Sequence, residues 1–281
     1  MKWRLFEPKQ NSHPKSLIIM PNSFGGTLIG AAGIRAQIVA NKLGMRVLGL
    51  ERTSALRYAF VPWLRKQLTY RGYPARLQRL AEEISNYIEA TFKDLDQLIV
   101  AGHSAGGVDA ALLAASHMLP ITHIVITDPA GMRKVSATNA RLRYARYNHR
   151  YEQDKALDDA TYNTNPYEPL EKRWRGLLHS ASEMLLYGRL WSSNITIQAL
   201  MGLAADPARP LLVHLSEFSF NGTPAEQQAS VEMLTKIRSA YPDAAPSDIQ
   251  VVPDSRHSTF NTAHYRADAI SEVLELSNPL S

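Results

Sequence analysis

The segment Gly102-His103-Ser104-Ala105-Gly106 sets one serine between two glycines, each two residues away, and it is the part of this sequence best suited to covalent chemistry. A serine hydroxyl attacks a carbonyl only when it is held clear of its own backbone and served by a base. The apolar run Leu98-Ile99-Val100-Ala101 before it and the small-residue stretch after it predict a strand, a sharp turn and a helix, with Ser104 on the turn. There the glycines let strand and helix pass closely while a strained backbone projects the serine side chain. The new helix also brings the positive end of its dipole, so the Ala105 N–H is expected to stabilise a developing oxyanion. The competing expectation is a glycine-rich turn in which the serine is incidental.

Such a turn needs a rigid frame, and the chain offers one. Its 281 residues, 45% hydrophobic and 20% charged, are enough to bury a large core. Short apolar runs at 17–20, 45–50, 97–102, 121–127, 211–215 and 249–252 read as strands, nearly continuous in apolar character as doubly covered parallel strands are. Helices fall between them. Leu77, Leu80, Ala81, Ile84 and Ile88 form one apolar face, and Thr223-Pro224-Ala225-Glu226 is a capping box that opens a helix ending near Tyr241. A final helix is expected over 267–276. The alternation predicts an α/β fold with a doubly wound, mostly parallel sheet whose ligands bind beyond the carboxyl ends of the strands. Residues 131–200 break the rhythm: they read as a helical, tyrosine-rich cap inserted into a core made of 1–130 and 201–281. The cap segment carries 11 Lys+Arg against 7 Asp+Glu, and its first 20 residues hold six basic side chains and no acidic one.

The GHSAG turn and the alternation around it resemble the α/β-hydrolase superfamily over almost the whole chain, from the strand at Leu17 to the last helix. The resemblance implies the order nucleophile, acid, histidine, with the histidine on the loop after the last strand. His257 and His264 are the two histidines that follow that strand; His257 is favoured as the base and His264, close to the helix start, suits a capping or surface role. His103, inside the elbow, is expected to pack or hydrogen-bond locally rather than to act as base, and with Ser23 it is placed among the residues bordering bound substrate. The second oxyanion donor should come from Pro21-Asn22-Ser23-Phe24-Gly25-Gly26-Thr27, where Asn22-Ser23 replaces the His-Gly pair common in the superfamily. The Phe24 N–H is the first choice for that donor and the Ser23 N–H the alternative. The acid has two candidates. The superfamily often places an aspartate about nine residues beyond a proline like Pro210, but that position here is Ser219, so the role falls to Asp128, at the end of ITHIVIT, or to Glu217. Either would orient the imidazole without itself taking the proton.

Other chemistries are poorly served. The absence of cysteine excludes disulfides, thiolate metal sites and a cysteine nucleophile. There is no H-E-x-x-H, no carboxylate–histidine set spaced for a metal and no Lys-Ser/Thr after Gly30 to complete a phosphate loop, so neither metal nor cofactor is expected. No run is long and apolar enough to span a membrane and the first residues lack a signal-peptide core, which leads to the expectation of a cytoplasmic protein. The net charge of +5 sits largely in the cap. There Arg143, Arg146 and Arg150 share a helical face beside one formed by Tyr144, Tyr147 and Tyr151, which suits a solvated face, or contact with an anionic substrate, better than nucleic acid. The expected function is hydrolysis of a small carboxylic ester or thioester through an acyl-enzyme on Ser104. The alternatives are acyl transfer, another reaction of the same serine such as carbon–carbon bond hydrolysis, or a non-catalytic relative that binds a ligand or partner.

Overall fold

The computed structural model describes residues 2–22, 28, 31–51, 73–132, 194–219 and 222–277. Each of the six apolar runs becomes a strand: β2 (Ser16–Pro21), β3 (Arg46–Glu51), β4 (Gln97–His103), β5 (His123–Thr127), β6 (Leu211–Phe218) and β7 (Ser247–Arg256). A seventh strand, β1 (Lys2–Phe6), was not anticipated. It pairs antiparallel with β3 at the sheet edge, whereas every other neighbouring pair is parallel, in the order β1-β3-β2-β4-β5-β6-β7. Only five residues long and alternating charged Lys2 and Arg4 with Trp3 and Leu5, β1 lacks the continuous apolar character that identifies the central strands.

Helices cover both faces. On one, α1 (Ala31–Leu43) and α6 (Ala263–Ser277) pack Val39, Ala40, Ala267 and Ile270 against Ile18, Val47, Ile99 and Leu212. On the other lie α2 (Tyr73–Thr91), α3 (Ala105–Ala115), α4 (Ile195–Ala204) and α5 (Pro224–Ser239), which meet Leu17, Leu48, Leu98, Ile124 and Val213. The division follows from the period of two in a strand: Ile18 and Leu17 are adjacent in sequence and face opposite layers. Strands β2 and β5 are buried at every residue, which explains the apolar runs Leu17–Met20 and Ile124–Ile126 at their centres.

The capping box at Thr223 forms as the sequence requires, Thr223 accepting from the Glu226 amide and the Glu226 side chain accepting from the Thr223 amide. The last helix starts four residues earlier than expected, so His264 lies in its first turn. Residues 133–193 of the segment read as a cap lie outside the described residues, and with them Arg143, Arg146 and Arg150. Helix α4 begins inside that segment and packs Ile197, Leu200 and Leu203 into the core layer. Among the described residues, no helix is long and apolar enough to cross a membrane.

Candidate active site

Ser104 stands between the last residue of β4 and the first of α3, with φ 55° and ψ −122°. A positive φ costs an L-residue free energy, and the neighbouring chain holds it in place. The Ser104 N–H donates to the Thr127 carbonyl (3.1 Å), and the Ser104 carbonyl accepts from the amides of Val108 (3.3 Å) and Ala130 (3.1 Å). The serine side chain does not cap the helix that follows. Both glycines are sterically required. A Cβ on Gly102 would lie 2.3 Å from the Gly106 carbonyl oxygen, and one on Gly106 would lie 2.3 Å from that of Pro21. The strand-turn-helix read from the sequence is therefore present, with Ala105 as the first residue of α3. Ser23 and Phe24, expected to border substrate and to supply the second oxyanion donor, lie outside the described residues.

His257 follows β7 directly and is 5% exposed. Its Nδ1 is hydrogen-bonded to Asp128 Oδ2. Asp128 is the first residue beyond β5, is fully buried, and also has a positive φ, 37°. Its amide donates to the His214 carbonyl on β6 (2.7 Å). Its carboxylate gathers donors from three elements. Oδ2 accepts from Ser216 Oγ (2.8 Å) and Ser219 Oγ (2.7 Å) besides His257, and Oδ1 accepts from Gln227 Nε2 on α5 (3.1 Å) and the Ser216 amide (3.4 Å). A buried carboxylate is costly unless its lone pairs are met in this way.

Glu217, the other acid considered, is corrected by this geometry. Its carboxylate accepts the Asp254 amide (2.9 Å) near the end of β7, and Asp128 takes the place beside the imidazole. The reason is strand parity: Ser216 faces Asp128, so its neighbour Glu217 points away. A register shift between Ser216 and Phe218, where Phe218 pairs with Arg256, then turns the ends of β6 and β7 so that Ser219 and His257 converge on Asp128.

His103 is 1% exposed and is the last residue of β4, directly before the elbow serine. Its Nδ1 is 3.1 Å from the Thr127 carbonyl oxygen, and its ring centroid is 4.4 Å from that of His257 and 6.5 Å from that of Phe260. Burial first, and then the nearby His257 and Arg266, hold its pKa well below the ordinary histidine value. His103 thus fills the packing role, as a neutral ring supporting the base. His264, half-buried in α6, is not the histidine paired with Asp128.

Ser216, Ser219 and Gln227 were not singled out as site residues. Ser219 carried one signal, since it occupies the position where the superfamily often has its acid; here its hydroxyl donates to an acid that stands one strand away. Gln227 carried none beyond its place one turn into the capped helix.

A seven-stranded, mostly parallel sheet covered by helices on both faces, with a serine on the β4–α3 turn and a histidine after the last strand, has the α/β-hydrolase fold. Solved structures share that fold over nearly the whole chain. A bromoperoxidase from Bacillus anthracis is 14% identical with a TM-score of 0.57, covering 98% of this chain and 94% of its own. Est1E from Butyrivibrio proteoclasticus, solved with ferulic acid bound, is 15% identical with a TM-score of 0.55, over 98% and 94%. The enol-lactonase from Burkholderia xenovorans is 16% identical with a TM-score of 0.53, over 97% and 95%. No protein-family model and no curated protein matches the chain by sequence.

Proposed function

We propose that the protein is a serine hydrolase that cleaves a small carboxylic ester or thioester through an acyl-enzyme. The observation that carries this reading is the His257–Asp128 hydrogen bond, with the His257 ring 4.4 Å from that of His103, the residue before the strained elbow serine. In this reading Ser104 Oγ attacks the carbonyl carbon and His257 Nε2 takes the hydroxyl proton. Asp128 keeps Nδ1 protonated and stabilises the imidazolium. The tetrahedral oxyanion is bound by the Ala105 N–H, with the positive end of α3 behind it, and by an amide of the loop after β2, from Phe24 or Ser23. Collapse expels the alcohol or thiol, which receives the proton from His257, and a water activated by the same imidazole then releases the acid. Esterases and a lactonase among the structural neighbours support this class of reaction. Residues 131–200 would contribute the cap over the site, with Arg143, Arg146 and Arg150 attracting an anionic substrate.

Labelling with a fluorophosphonate probe and mass spectrometry of the modified peptide tests the reading. The probe is expected on Ser104 alone, and Ser104→Ala should lose both labelling and ester turnover while remaining folded. An unlabelled wild-type protein, or turnover that survives in the alanine variant, would overturn it.

A further inference from the structure

The strand-turn-helix crossing demands glycine at 102 and 106 but leaves the residue between Gly102 and Ser104 free as far as its own geometry goes. That residue is a buried histidine, and it is attached at two places. The Thr127 carbonyl oxygen, 3.1 Å from His103 Nδ1, also accepts the Ser104 amide (3.1 Å), so one oxygen at the end of β5 holds both the His103 ring and the elbow backbone. A carbonyl only accepts, which puts the His103 proton on Nδ1. The ring then stands 4.4 Å from that of His257, with 42° between the two planes, and 6.5 Å from that of the fully buried Phe260. The turn that bears those two rings is held from α6 as well, where Arg266 donates through Nη2 to Asn261 Oδ1 (2.7 Å) and through Nε to the Phe260 carbonyl (3.4 Å).

These contacts close a circuit. From Ser104 it runs along the backbone to His103, across the ring contact to His257, through the hydrogen bond to Asp128, along the backbone to Thr127, and from its carbonyl back to the Ser104 amide. The circuit supplies what the acid by itself does not. A hydrogen bond at Nδ1 fixes that nitrogen, but the imidazole can still swing about it. A small swing carries Nε2, on the far side of the ring, away from a hydroxyl it must reach within about 2.6–3.2 Å. A second ring at 4.4 Å leaves the imidazole little room to turn. Because His103 directly precedes Ser104, that second ring is fixed in the frame of the serine.

We infer that His103 is a positioning residue for the reaction, its ring setting the His257 imidazole in the frame of Ser104. This role rests on the proposed functions of Ser104 as nucleophile and His257 as base, and it adds a requirement to them: a flat side chain at position 103. Burial, and after it the nearby His257 and Arg266, keep the His103 ring uncharged. It therefore does not oppose the charge that His257 takes on when it accepts the serine proton. His103 itself transfers no proton.

Two substitutions separate the ring from its hydrogen bond. His103→Asn keeps a donor for the Thr127 carbonyl and removes the ring, whereas His103→Phe keeps a flat ring and removes the donor. Three readouts on the full chain test the role: the rate of Ser104 phosphonylation by a fluorophosphonate, kcat and KM on one ester, and the far-downfield proton resonance of the His257–Asp128 hydrogen bond. His103→Asn is expected to lower phosphonylation and kcat at least about tenfold, with KM nearly unchanged and the downfield resonance retained. His103→Phe should recover most of that loss. A purely structural role predicts instead that the resonance and Tm fall together with the rate. Wild-type rates in His103→Asn, disappearance of its resonance along with its rate, or a His103→Phe no faster than His103→Asn would each overturn the positioning role. A wild-type protein that the probe leaves unlabelled overturns the proposed function and this role with it, while a labelled wild type beside an unimpaired His103→Asn overturns the role alone.

Discussion

The identity of the acid turns on a few hydrogen bonds. If Asp128 orients His257, Asp128→Asn leaves the shape of the site nearly intact but favours the wrong imidazole tautomer and leaves the cation unsupported. A loss of kcat on the order of 10⁴-fold is expected, measured on the ester that the wild type turns over best. Glu217→Gln should cost little, since that carboxylate serves the Asp254 amide. Comparable losses in the two variants would remove the distinction. Ser219 and Gln227 act on the same carboxylate from outside. Removing either donor leaves Asp128 less firmly oriented, so Ser219→Ala should lower kcat about tenfold with KM nearly unchanged. A rise in KM at constant kcat would instead assign Ser219 to substrate binding.

The elbow is a property of two elements and their crossing, not of the serine alone. Strand β4 and helix α3 meet at a separation that leaves no room for a methyl group on Gly102 or Gly106, and the helix start also abuts the end of β2 at Pro21. Gly106→Ala should force the Pro21–Asn22 backbone away from α3. We expect a loss of about 1–3 kcal/mol by chemical denaturation, the range for overpacking a tight contact, with a fall in kcat larger than the stability loss alone explains. An alanine variant as stable and active as wild type would show that the crossing opens freely. The same contact holds Pro21 and Asn22 against Gly106, two residues past Ser104.

Acid sensitivity belongs to the molecule as a whole, because it compares the folded chain with the unfolded one. His103 has its folded pKa well below 6.5, so the folded state resists a proton that the unfolded state binds readily as pH falls past 6.5. Its contribution to stability is fully present above about pH 6.5 and is lost as pH falls toward the depressed folded pKa. Between pH 7.5 and 5.5 this one group should remove stability on the order of 1 kcal/mol. His123, also lowered by burial, adds a smaller loss of the same sign. Urea denaturation of the wild type and of His103→Asn at both pH values checks this. The variant, whose amide can still donate to Thr127, should lose less stability on acidification, and equal losses would mean that His103 is protonated in the folded state.

Local physical rules were enough to read the sheet and the elbow turn at Ser104 from the sequence. Doubly buried parallel strands need unbroken apolar runs, a capped helix announces itself in four residues, and a strand-turn-helix crossing this tight admits only glycine at 102 and 106. His257 was legible for a similar reason, lying just beyond the last strand. The edge strand β1 was not, because a charged, half-exposed strand of five residues has no apolar signature of its own. The choice between Asp128 and Glu217 was beyond sequence as well. It depended on the parity of β6, the register shift at its end, and the approach of Gln227 from a separate helix. The ring contact between His103 and His257 likewise exists only once the chain beyond β7 has returned to the end of β4. Spacing along the chain determines what one turn or one strand can do. Which distant carboxylate meets an imidazole is decided by strand order and helix packing, and these tertiary contacts alone bring such groups within hydrogen-bonding distance.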